Sequence, residues 1–277
     1  MEHYFFPYKR SSISCHRYGR GPVMVICFHG YGELGDHFRI LDQEDLSPYS
    51  LYCIDLPHHG RTVWKDGNAF LRDDLLQVRQ LVTSHHQREF AASGHDGRYA
   101  LMGYSLGGRV AMRLFQSDPS RVHRLVLLAP DGLSSSFWYW FCTSTILGNK
   151  IFHYSMHRSL WFLKFLRQLK KTKLINKNKL KFITDYVEHP NSRRLVYHRW
   201  RTLRKLVPSA SSVKSRLREH HVPTRVLFGK FDRIIKPSTG KSFARAVRSN
   251  GAYTELNCGH QLLLPKNAEA IIKALGD

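Results

Sequence analysis

The chain has 277 residues, of which 42% are hydrophobic and 23% are charged. This length suffices for one large core, and the apolar content excludes an intrinsically disordered chain, which has too little apolar surface to bury. The charge is unusual, because 43 Lys and Arg against 21 Asp and Glu give a formal net charge of +22, which favours anionic partners.

The chain carries no sequence signal for secretion or for spanning a membrane. Residues 1–7 include an early acid, and no apolar stretch of signal-peptide length follows a basic region. The longest apolar-rich run, around residues 137–141, is far shorter than the ~20 residues of a spanning helix. Five cysteines without C-x-x-C spacing are typical of reduced core thiols. We therefore expect a cytoplasmic protein without a structural metal.

Five short apolar runs in chain order predict buried parallel strands. They end in Gly, Pro, Asp or Ser and lie at residues 23–28, 51–54, 99–102, 125–129 and 225–228. Segments with helical spacing, such as Leu71, Leu75 and Val78, lie between them. The alternation predicts an α/β fold with a mostly parallel central sheet, helices on both faces and ligands at the carboxyl ends of the strands.

A nucleophile motif follows the third of these runs. Gly103-Tyr104-Ser105-Leu106-Gly107 matches G-x-S-x-G, directly after a predicted strand and directly before a helical pattern. Small residues at Gly103 and Gly107 permit a sharp turn that lifts the Ser105 hydroxyl clear of the sheet. The positive end of the following helix would lie beside the serine. The motif therefore predicts Ser105 as a nucleophile.

A glycine-containing loop after the first run predicts an oxyanion hole. The segment Phe28-His29-Gly30-Tyr31-Gly32 ends that run, and its glycines, Gly30 among them, let the backbone approach a substrate closely. We expect the backbone N–H groups of Tyr31 and Leu106 to point at the substrate oxygen. Taken alone, this segment would be interpreted as an ordinary strand-to-loop turn, but the nucleophile motif at Ser105 favours the oxyanion hole.

A serine nucleophile needs a base and an acid that orients the base. His260 follows the strand-like run 252–256 and precedes a C-terminal helical pattern at 268–275, so we predict it as the base. Asp232 follows the run 225–228 and is predicted as the acid. The order Ser, Asp, His along the chain is typical of one hydrolase architecture.

The strand rhythm stops between residues 133 and 208, which we interpret as an insertion. Its apolar residues recur at helical spacing, as at Phe162, Phe165 and Leu169, so it is predicted to be a helical lid. Residues 1–132 and 209–277 then form the core domain. The insertion is basic and aromatic, and its acids are Asp185 and Glu188. We favour packing of its aromatic residues over the catalytic pocket, while its positive charges face either water or an anionic membrane.

These pieces together resemble the α/β-hydrolase superfamily over nearly the whole chain. Within it the chain looks most like small esterases, lipases and carbon–carbon-bond hydrolases with a helical lid. The segments that carry the resemblance are Phe28-His29-Gly30, Asp55-Leu56-Pro57-His58-His59-Gly60-Arg61-Thr62, the turn around Ser105, Gly229-Lys230-Phe231-Asp232 and Gly259-His260.

The resemblance implies an acyl-enzyme mechanism without a cofactor. It excludes classical epoxide hydrolases and haloalkane dehalogenases, whose nucleophile is an aspartate where this chain has Ser105. Two departures leave alternatives open. His58 stands where the family usually has glycine, so His58 or His59 could line the site, although we favour ordinary loop positions for both. Asp131 follows another strand and is an alternative acid, because some members recruit their acid from that position.

Two classes of function remain from the sequence. The first is a carboxylesterase or lipase-like enzyme on a hydrophobic acyl substrate, and a carbon–carbon-bond hydrolase, cofactor-free haloperoxidase or lyase would use the same three residues. The second is a non-catalytic binder of anionic lipid through the basic insertion, which also predicts peripheral contact with an anionic membrane surface. Binding to nucleic acid has basic charge as its sole support, because no recognition motif is present.

Overall fold

The computed structural model describes residues 1–91, 97–134, 137–157, 190–247 and 250–276. Within these residues, eight strands form one sheet. Their bounds are β1 Glu2–Tyr8, β2 Ser11–Tyr18, β3 Val23–Phe28, β4 Tyr49–Ile54, β5 Tyr99–Tyr104, β6 Val122–Leu128, β7 Thr224–Gly229 and β8 Gly251–Leu256. The spatial order is β1-β2-β4-β3-β5-β6-β7-β8.

The sheet is parallel from β4 to β8 and antiparallel at β1 and β2. Strand β3 pairs in parallel with β4 and β5, and β6 pairs in parallel with β5 and β7. The side chains of β5 are all buried, as expected for a central strand covered on both faces. The prediction of a mostly parallel α/β sheet is confirmed, while the β1–β2 hairpin is an addition that the apolar runs did not predict.

Eight α-helices accompany these strands in the described residues. They are α1 Arg72–Glu89, α2 Leu106–Ser117, α3 Phe137–Ser144, α4 Ile146–His157, α5 Pro190–Leu203, α6 Ala210–Glu219, α7 Pro237–Val247 and α8 Ala268–Gly276. Short 3-10 turns occur at Gly35–Leu41, Glu44–Leu46, Pro119–Arg121 and Pro265–Asn267. None of the helices in the described ranges is long and apolar enough to cross a membrane.

Contacts between residues divide the chain into two compact units. The first, the sheet unit, consists of Met1–Asp66, Leu71–Ser134 and Leu206–Asp277. The second, the helical unit, consists of Gly67–Phe70 and Ser135–Lys205. The predicted helices around 162–169 and 180–187 lie outside the described residues. The assignment of the helical unit as a lid stays a prediction.

A tight contact closes the sheet unit where the chain leaves it and returns. Gly132 has a φ of +94°, and a Cβ there would lie 3.2 Å from Pro208 Cγ and 3.2 Å from Arg109 Cγ. A side chain would therefore be strained in conformation and crowded by its neighbours. Residues 132 and 208 thus meet although more than seventy positions separate them.

The helical unit has a small aromatic core of its own. The Phe152 ring centroid lies 5.5 Å from that of Tyr197 and 5.3 Å from that of Trp200. Tyr139 of α3 packs 5.2 Å from Trp200, and its hydroxyl donates to the Trp200 carbonyl oxygen. These contacts place α3 and α4 against α5.

Candidate active site

Ser105 stands at a sharp turn between β5 and α2. Its φ of +50° and ψ of −115° lie outside the regions that residues with a side chain ordinarily adopt. The Ser105 N–H donates to the Leu128 carbonyl oxygen, and the Gly108 N–H donates to the Ser105 carbonyl oxygen, both at 2.9 Å. These bonds hold the strained turn at the carboxyl end of the central strands, where the sequence predicted the nucleophile.

Close packing of the backbone explains the glycines around Ser105. A Cβ added at Gly107 would lie 1.9 Å from the Phe28 carbonyl oxygen. One added at Gly103 would lie 2.5 Å from the Gly107 carbonyl oxygen. Both separations are far inside van der Waals contact, so a side chain at either position would push α2 away from β3 or open the turn.

His260 contacts Ser105 from the loop that follows β8. His260 Nε2 lies 3.0 Å from Ser105 Oγ, and His260 Nδ1 lies 2.7 Å from Asp232 Oδ2. The Asp232 side chain has no exposed area, while 18% of the His260 side chain is exposed. When Nδ1 donates to the carboxylate, Nε2 is the nitrogen that accepts the hydroxyl proton.

The loop after β7 fixes the orientation of Asp232. The second carboxylate oxygen, Oδ1, accepts from the N–H groups of Ile234 and Ile235 at 2.8 and 3.0 Å. At the end of β7, a Cβ on Gly229 would lie 1.8 Å from the Gly259 carbonyl oxygen. The acid loop and the histidine loop are therefore in direct backbone contact, which leaves Asp232 Oδ2 directed at the imidazole.

Asp131, the alternative acid, has other partners. Arg109 Nη2 donates to Asp131 Oδ2, and the Gly132 N–H donates to Asp131 Oδ1 at 2.7 Å. Both carboxylate oxygens are thus engaged by groups other than His260. The structure brings Ser105, His260 and Asp232 together and leaves Asp131 in a separate ion pair.

Buried polar groups hold the loop that follows β3. His29 is fully buried, its Nε2 accepts from the Leu56 N–H at 3.0 Å, and its Nδ1 contacts the Gly30 carbonyl oxygen at 2.8 Å. The Gly35 N–H donates to Asp55 Oδ1 at 2.8 Å. Because both ends of residues 29–35 are tied to the segment after β4, the position of this loop is set by β3 and β4.

The two predicted oxyanion donors lie on this loop and on α2. Tyr31 follows Gly30, at which a Cβ would lie 2.9 Å from the Tyr104 ring, so the loop backbone runs close to the residue before Ser105. Leu106 is the first residue of α2, and N–H groups in the first turn of a helix have no acceptor within that helix. The role of the Tyr31 and Leu106 N–H groups as donors to a substrate oxygen stays a prediction.

His58 and His59 were candidates for lining the site. His58 has a φ of +64°, a left-handed conformation that glycine adopts without steric cost. His59 is 1% exposed, its Nδ1 lies 3.0 Å from the Pro57 carbonyl oxygen, and its ring packs 4.9 Å from that of His29. The burial of His59 assigns it a packing role beneath the loop.

The sequence reasoning missed a polar cluster that joins the three loops of the site. The Tyr104 hydroxyl donates towards the His260 carbonyl oxygen and Gln261 Oε1, each at 3.1 Å. Burial raises the pKa of Glu33, while the His37 ring, 3.7 Å from Glu33 Oε2, and the Gln261 side chain act in the opposite direction. The sole sequence signal was that Tyr104 and Gln261 flank predicted catalytic residues.

The site therefore offers a hydroxyl, an imidazole and a buried carboxylate in one hydrogen-bonded series. Such a series transfers the hydroxyl proton to the imidazole and makes the oxygen nucleophilic towards a carbonyl carbon. In the part of the chain that the structure describes, no group of three or more His, Cys, Asp and Glu is arranged to hold a metal ion.

Known proteins resemble the chain both in sequence and in fold. The sequence profile of the family described as Serine aminopeptidase, S33 matches residues 22–264. A pimeloyl-acyl-carrier protein methyl ester esterase from Nitrosomonas europaea is 35% identical over 135 residues, which are 47% of this chain and 46% of that protein. A protein of the same name from Legionella pneumophila (strain Corby) is 23% identical over 230 residues, 82% of this chain and 83% of that protein.

A third esterase of that name, from Aeromonas salmonicida, is 30% identical over 118 residues, which are 43% of this chain and 41% of that protein. The chain thus spans less than half the length of some curated relatives that it matches. Among solved structures, a thermophilic esterase from Thermogutta terrifontis superposes with a TM-score of 0.65 at 16% identity, covering 100% of this chain and 97% of that chain. This likeness shows the fold. Since the family profile covers most of the sequence, from before β3 to beyond His260, the chain belongs to the S33 serine aminopeptidase family and has the α/β-hydrolase fold.

Proposed function

We propose that this chain is a serine hydrolase that cleaves carboxylic esters through an acyl-enzyme intermediate. The observation that carries the proposal is the hydrogen-bonded series in which Ser105 Oγ lies 3.0 Å from His260 Nε2 and His260 Nδ1 lies 2.7 Å from Asp232 Oδ2. These distances are within the range of a nucleophile and its base.

In this mechanism Ser105 Oγ attacks the carbonyl carbon of the ester while His260 Nε2 takes the hydroxyl proton. The tetrahedral oxyanion accepts hydrogen bonds from the backbone N–H groups of Tyr31 and Leu106. Collapse breaks the bond to the alcohol, which leaves with the proton from His260. Water then attacks the acyl-enzyme with His260 again as base, and Ser105 regains its proton as the acid is released. The steps balance without a cofactor.

The acyl group is proposed to be hydrophobic. The aromatic composition of residues 133–208 supports this, as do the relatives named as methyl ester esterases. Those names refer to an acyl group on a carrier protein, so both free and carrier-linked methyl esters belong among the substrates to be compared. A cytoplasmic setting is supported by five unpaired cysteines, four of them buried.

The test is labelling and hydrolysis by the wild type and by Ser105→Ala. The wild type should react with a fluorophosphonate probe and hydrolyse p-nitrophenyl esters, with rates that vary along a series of acyl chain lengths. Ser105→Ala should lose both activities while its thermal unfolding is retained, because the nucleophile is removed and the turn is kept. Undiminished labelling of the variant would refute Ser105 as the nucleophile.

The same panel separates the other reactions open to these residues. Labelling without hydrolysis of any ester would favour a carbon–carbon-bond hydrolase, a cofactor-free haloperoxidase or a lyase. Absence of labelling in the folded wild type would favour a non-catalytic binder of anionic lipid. Peripheral contact with an anionic membrane was predicted from the basic insertion, of which residues 158–189 lie outside the described residues.

A further inference from the structure

Helices α3 and α4 of the helical unit have two contrasting faces. One face packs on α5, where Phe152 is 8% exposed and Met156 is 2% exposed. Gly148 brings the two helices together, because a Cβ there would lie 2.1 Å from the Phe141 carbonyl oxygen. The packed face therefore accounts for the way these helices fold, whereas the side chains on the opposite face are exposed within the described residues.

That opposite face carries an unusual concentration of exposed apolar side chains. Of fifteen large hydrophobic residues exposed in the described ranges, seven lie within an eighteen-residue stretch. Exposed apolar residues that cluster in this way mark a binding site more often than singly scattered ones do. We call these seven residues the outer face: Phe137, Trp138, Trp140, Ile146, Leu147, Ile151 and Tyr154.

The outer face has the pattern of a helix that lies along an interface. Leu147, Ile151 and Tyr154 recur at four and three positions along α4 and form one apolar stripe. Lys150 and His153 are exposed beside this stripe. Burial and neighbouring positive groups lower the pKa of His153, so its ring is neutral at pH 7 and Lys150 supplies the positive charge. An apolar stripe with a flanking cation is the arrangement of interfacial helices, which bury the stripe at the boundary of the acyl chains.

Aromatic residues at the start of α3 extend this face. Phe137 packs 5.7 Å from Trp138 and 5.9 Å from Trp140 between ring centroids, and these two tryptophans are 70% and 54% exposed. Tryptophan is enriched where a membrane meets water, since the indole ring has an apolar body and one polar N–H group.

Charge identifies the kind of surface that this face fits. The sequence contains no Asp or Glu from residue 132 to residue 184, and the whole chain has a formal net charge of +22. Interfaces with a partner protein usually have a polar, solvent-accessible rim around their apolar centre. An apolar face with Lys150 at its margin, in a stretch of sequence without acids, is complementary to a bilayer with anionic head groups.

We propose that the outer face of α3 and α4 inserts into the interfacial region of an anionic lipid bilayer. The proposal goes beyond ester hydrolysis, because none of the seven residues belongs to the series around Ser105. Attachment combines burial of apolar area, which does not depend on salt, with attraction of Lys150 and the remaining positive charge, which weakens as salt is added.

Flotation of the whole chain with vesicles tests the proposal. The protein should float with vesicles of phosphatidylcholine and phosphatidylglycerol, and much less with phosphatidylcholine alone. Tryptophan emission should shift to shorter wavelength on binding, as Trp138 and Trp140 leave water. Ser105→Ala should bind like the wild type, so that failure of the ester-hydrolysis proposal is distinguished from failure of this one.

Substitutions on α4 locate the surface. Ile146→Gln, Leu147→Gln and Ile151→Gln together should weaken vesicle binding about 100-fold, since glutamine keeps helix propensity and removes apolar area. Lys150→Gln alone should weaken it about fivefold, and less at high salt. This milder variant keeps the test usable if the triple variant fails to fold.

A matched control removes the same number of exposed apolar residues from the sheet unit. Phe5→Gln, Val63→Gln and Val207→Gln affect side chains of 50%, 48% and 45% exposure and should leave vesicle binding unchanged. Equal binding by the α4 triple variant and the wild type would overturn the proposal. So would a wild type that stays with the soluble fraction at low salt.

Two further outcomes would assign the face to another occupant and reject the bilayer. If the α4 substitutions convert a dimer to a monomer in sedimentation without changing vesicle binding, the occupant is a second copy of the chain. If they reduce hydrolysis of long-chain but not short-chain soluble esters without changing vesicle binding, the face contacts the acyl chain of the substrate.

Discussion

Asp232 and Asp131 both follow strands, and their partners differ. Asp232 offers one oxygen to His260 and the other to two backbone N–H groups, whereas Asp131 is bound by Arg109 and the Gly132 N–H. Asp232→Asn should therefore lower kcat by up to ~10⁴-fold, because an amide favours the wrong histidine tautomer. Steady-state kinetics on a short p-nitrophenyl ester measure this loss.

Asp131→Asn is the control for that substitution. It should reduce thermal stability through its ion pair with Arg109 and leave kcat within about tenfold of the wild type. If Asp131→Asn lowered kcat more than Asp232→Asn does, the acid would have to be reassigned to Asp131.

Tyr104 is a residue that positions the His260 loop without itself belonging to the hydrogen-bonded series. Its hydroxyl donates towards the His260 carbonyl oxygen and Gln261 Oε1, so it restrains the loop that carries the imidazole. Tyr104→Phe should lower kcat about fivefold with little change in KM, since one hydrogen bond contributes about 1 kcal/mol and the substrate is not touched. An effect on KM alone would contradict this role.

The choice between the two acids shows where the sequence stops being informative. Both aspartates have the right local setting, and the difference is made by Arg109, which neutralises Asp131 from α2. The hydrogen bond from Tyr104 to Gln261 joins residues 157 positions apart, so it cannot be predicted from the local sequence pattern. In contrast, the turn at Ser105 was predictable because its steric demands fall on adjacent glycines.

At the scale of elements, Asp55 ties β4 to the loop that bears Tyr31. Its side chain accepts from the Ser14 hydroxyl at 2.6 Å, from the Gly35 N–H at 2.8 Å and from the Arg61 N–H at 3.1 Å. Burial by itself would raise the pKa of Asp55, but hydrogen bonds from His16, Ser14 and Gly35 outweigh burial and hold the pKa well below its usual value.

Asp55→Asn should lower the free energy of unfolding by about 3 kcal/mol at pH 7, because an amide loses bonds made by a charged acceptor. A lowered pKa in the folded state means that the carboxylate stabilises fully above the unfolded pKa of about 3.9 and less as pH falls below it. Urea unfolding of both proteins at several pH values measures this. A difference that stayed constant down to pH 3 would contradict the assignment.

The element scale also shows which strands could be predicted. Strands β3 and β5 and the second half of β6, from Leu125, are continuous apolar runs, because both faces of the sheet are covered there. Strand β1 has just two buried residues and lies at the edge, so it lacks such a run. Its place is set by pairing with β2 and by Tyr8 and Lys9, which donate to Asp74 of α1.

At the scale of the whole molecule, the site depends on segments far apart in the chain. Val25 of β3 is paired with Ala100 of β5, and Leu125 of β6 is paired with Thr224 of β7, in parallel register in both cases. Parallel pairing brings the carboxyl ends of these strands to one edge, and the predicted catalytic residues follow strands that end there. This rule made the general location of the site predictable, whereas individual hydrogen bonds between loops were not.

The contact between Gly132 and Pro208 has a consequence for how this protein can change over evolution. The chain leaves the sheet unit and re-enters it at adjacent points, and the intervening stretch forms the helical unit together with Gly67–Phe70. Doubling the length of such an insert adds only about 0.6 kcal/mol of closure entropy. We therefore expect that changes in its length or sequence which keep its contacts with Gly67–Phe70 leave the strands and the series around Ser105 in place. The reactive chemistry and whatever the insert recognises are consequently free to diverge at independent rates within one gene.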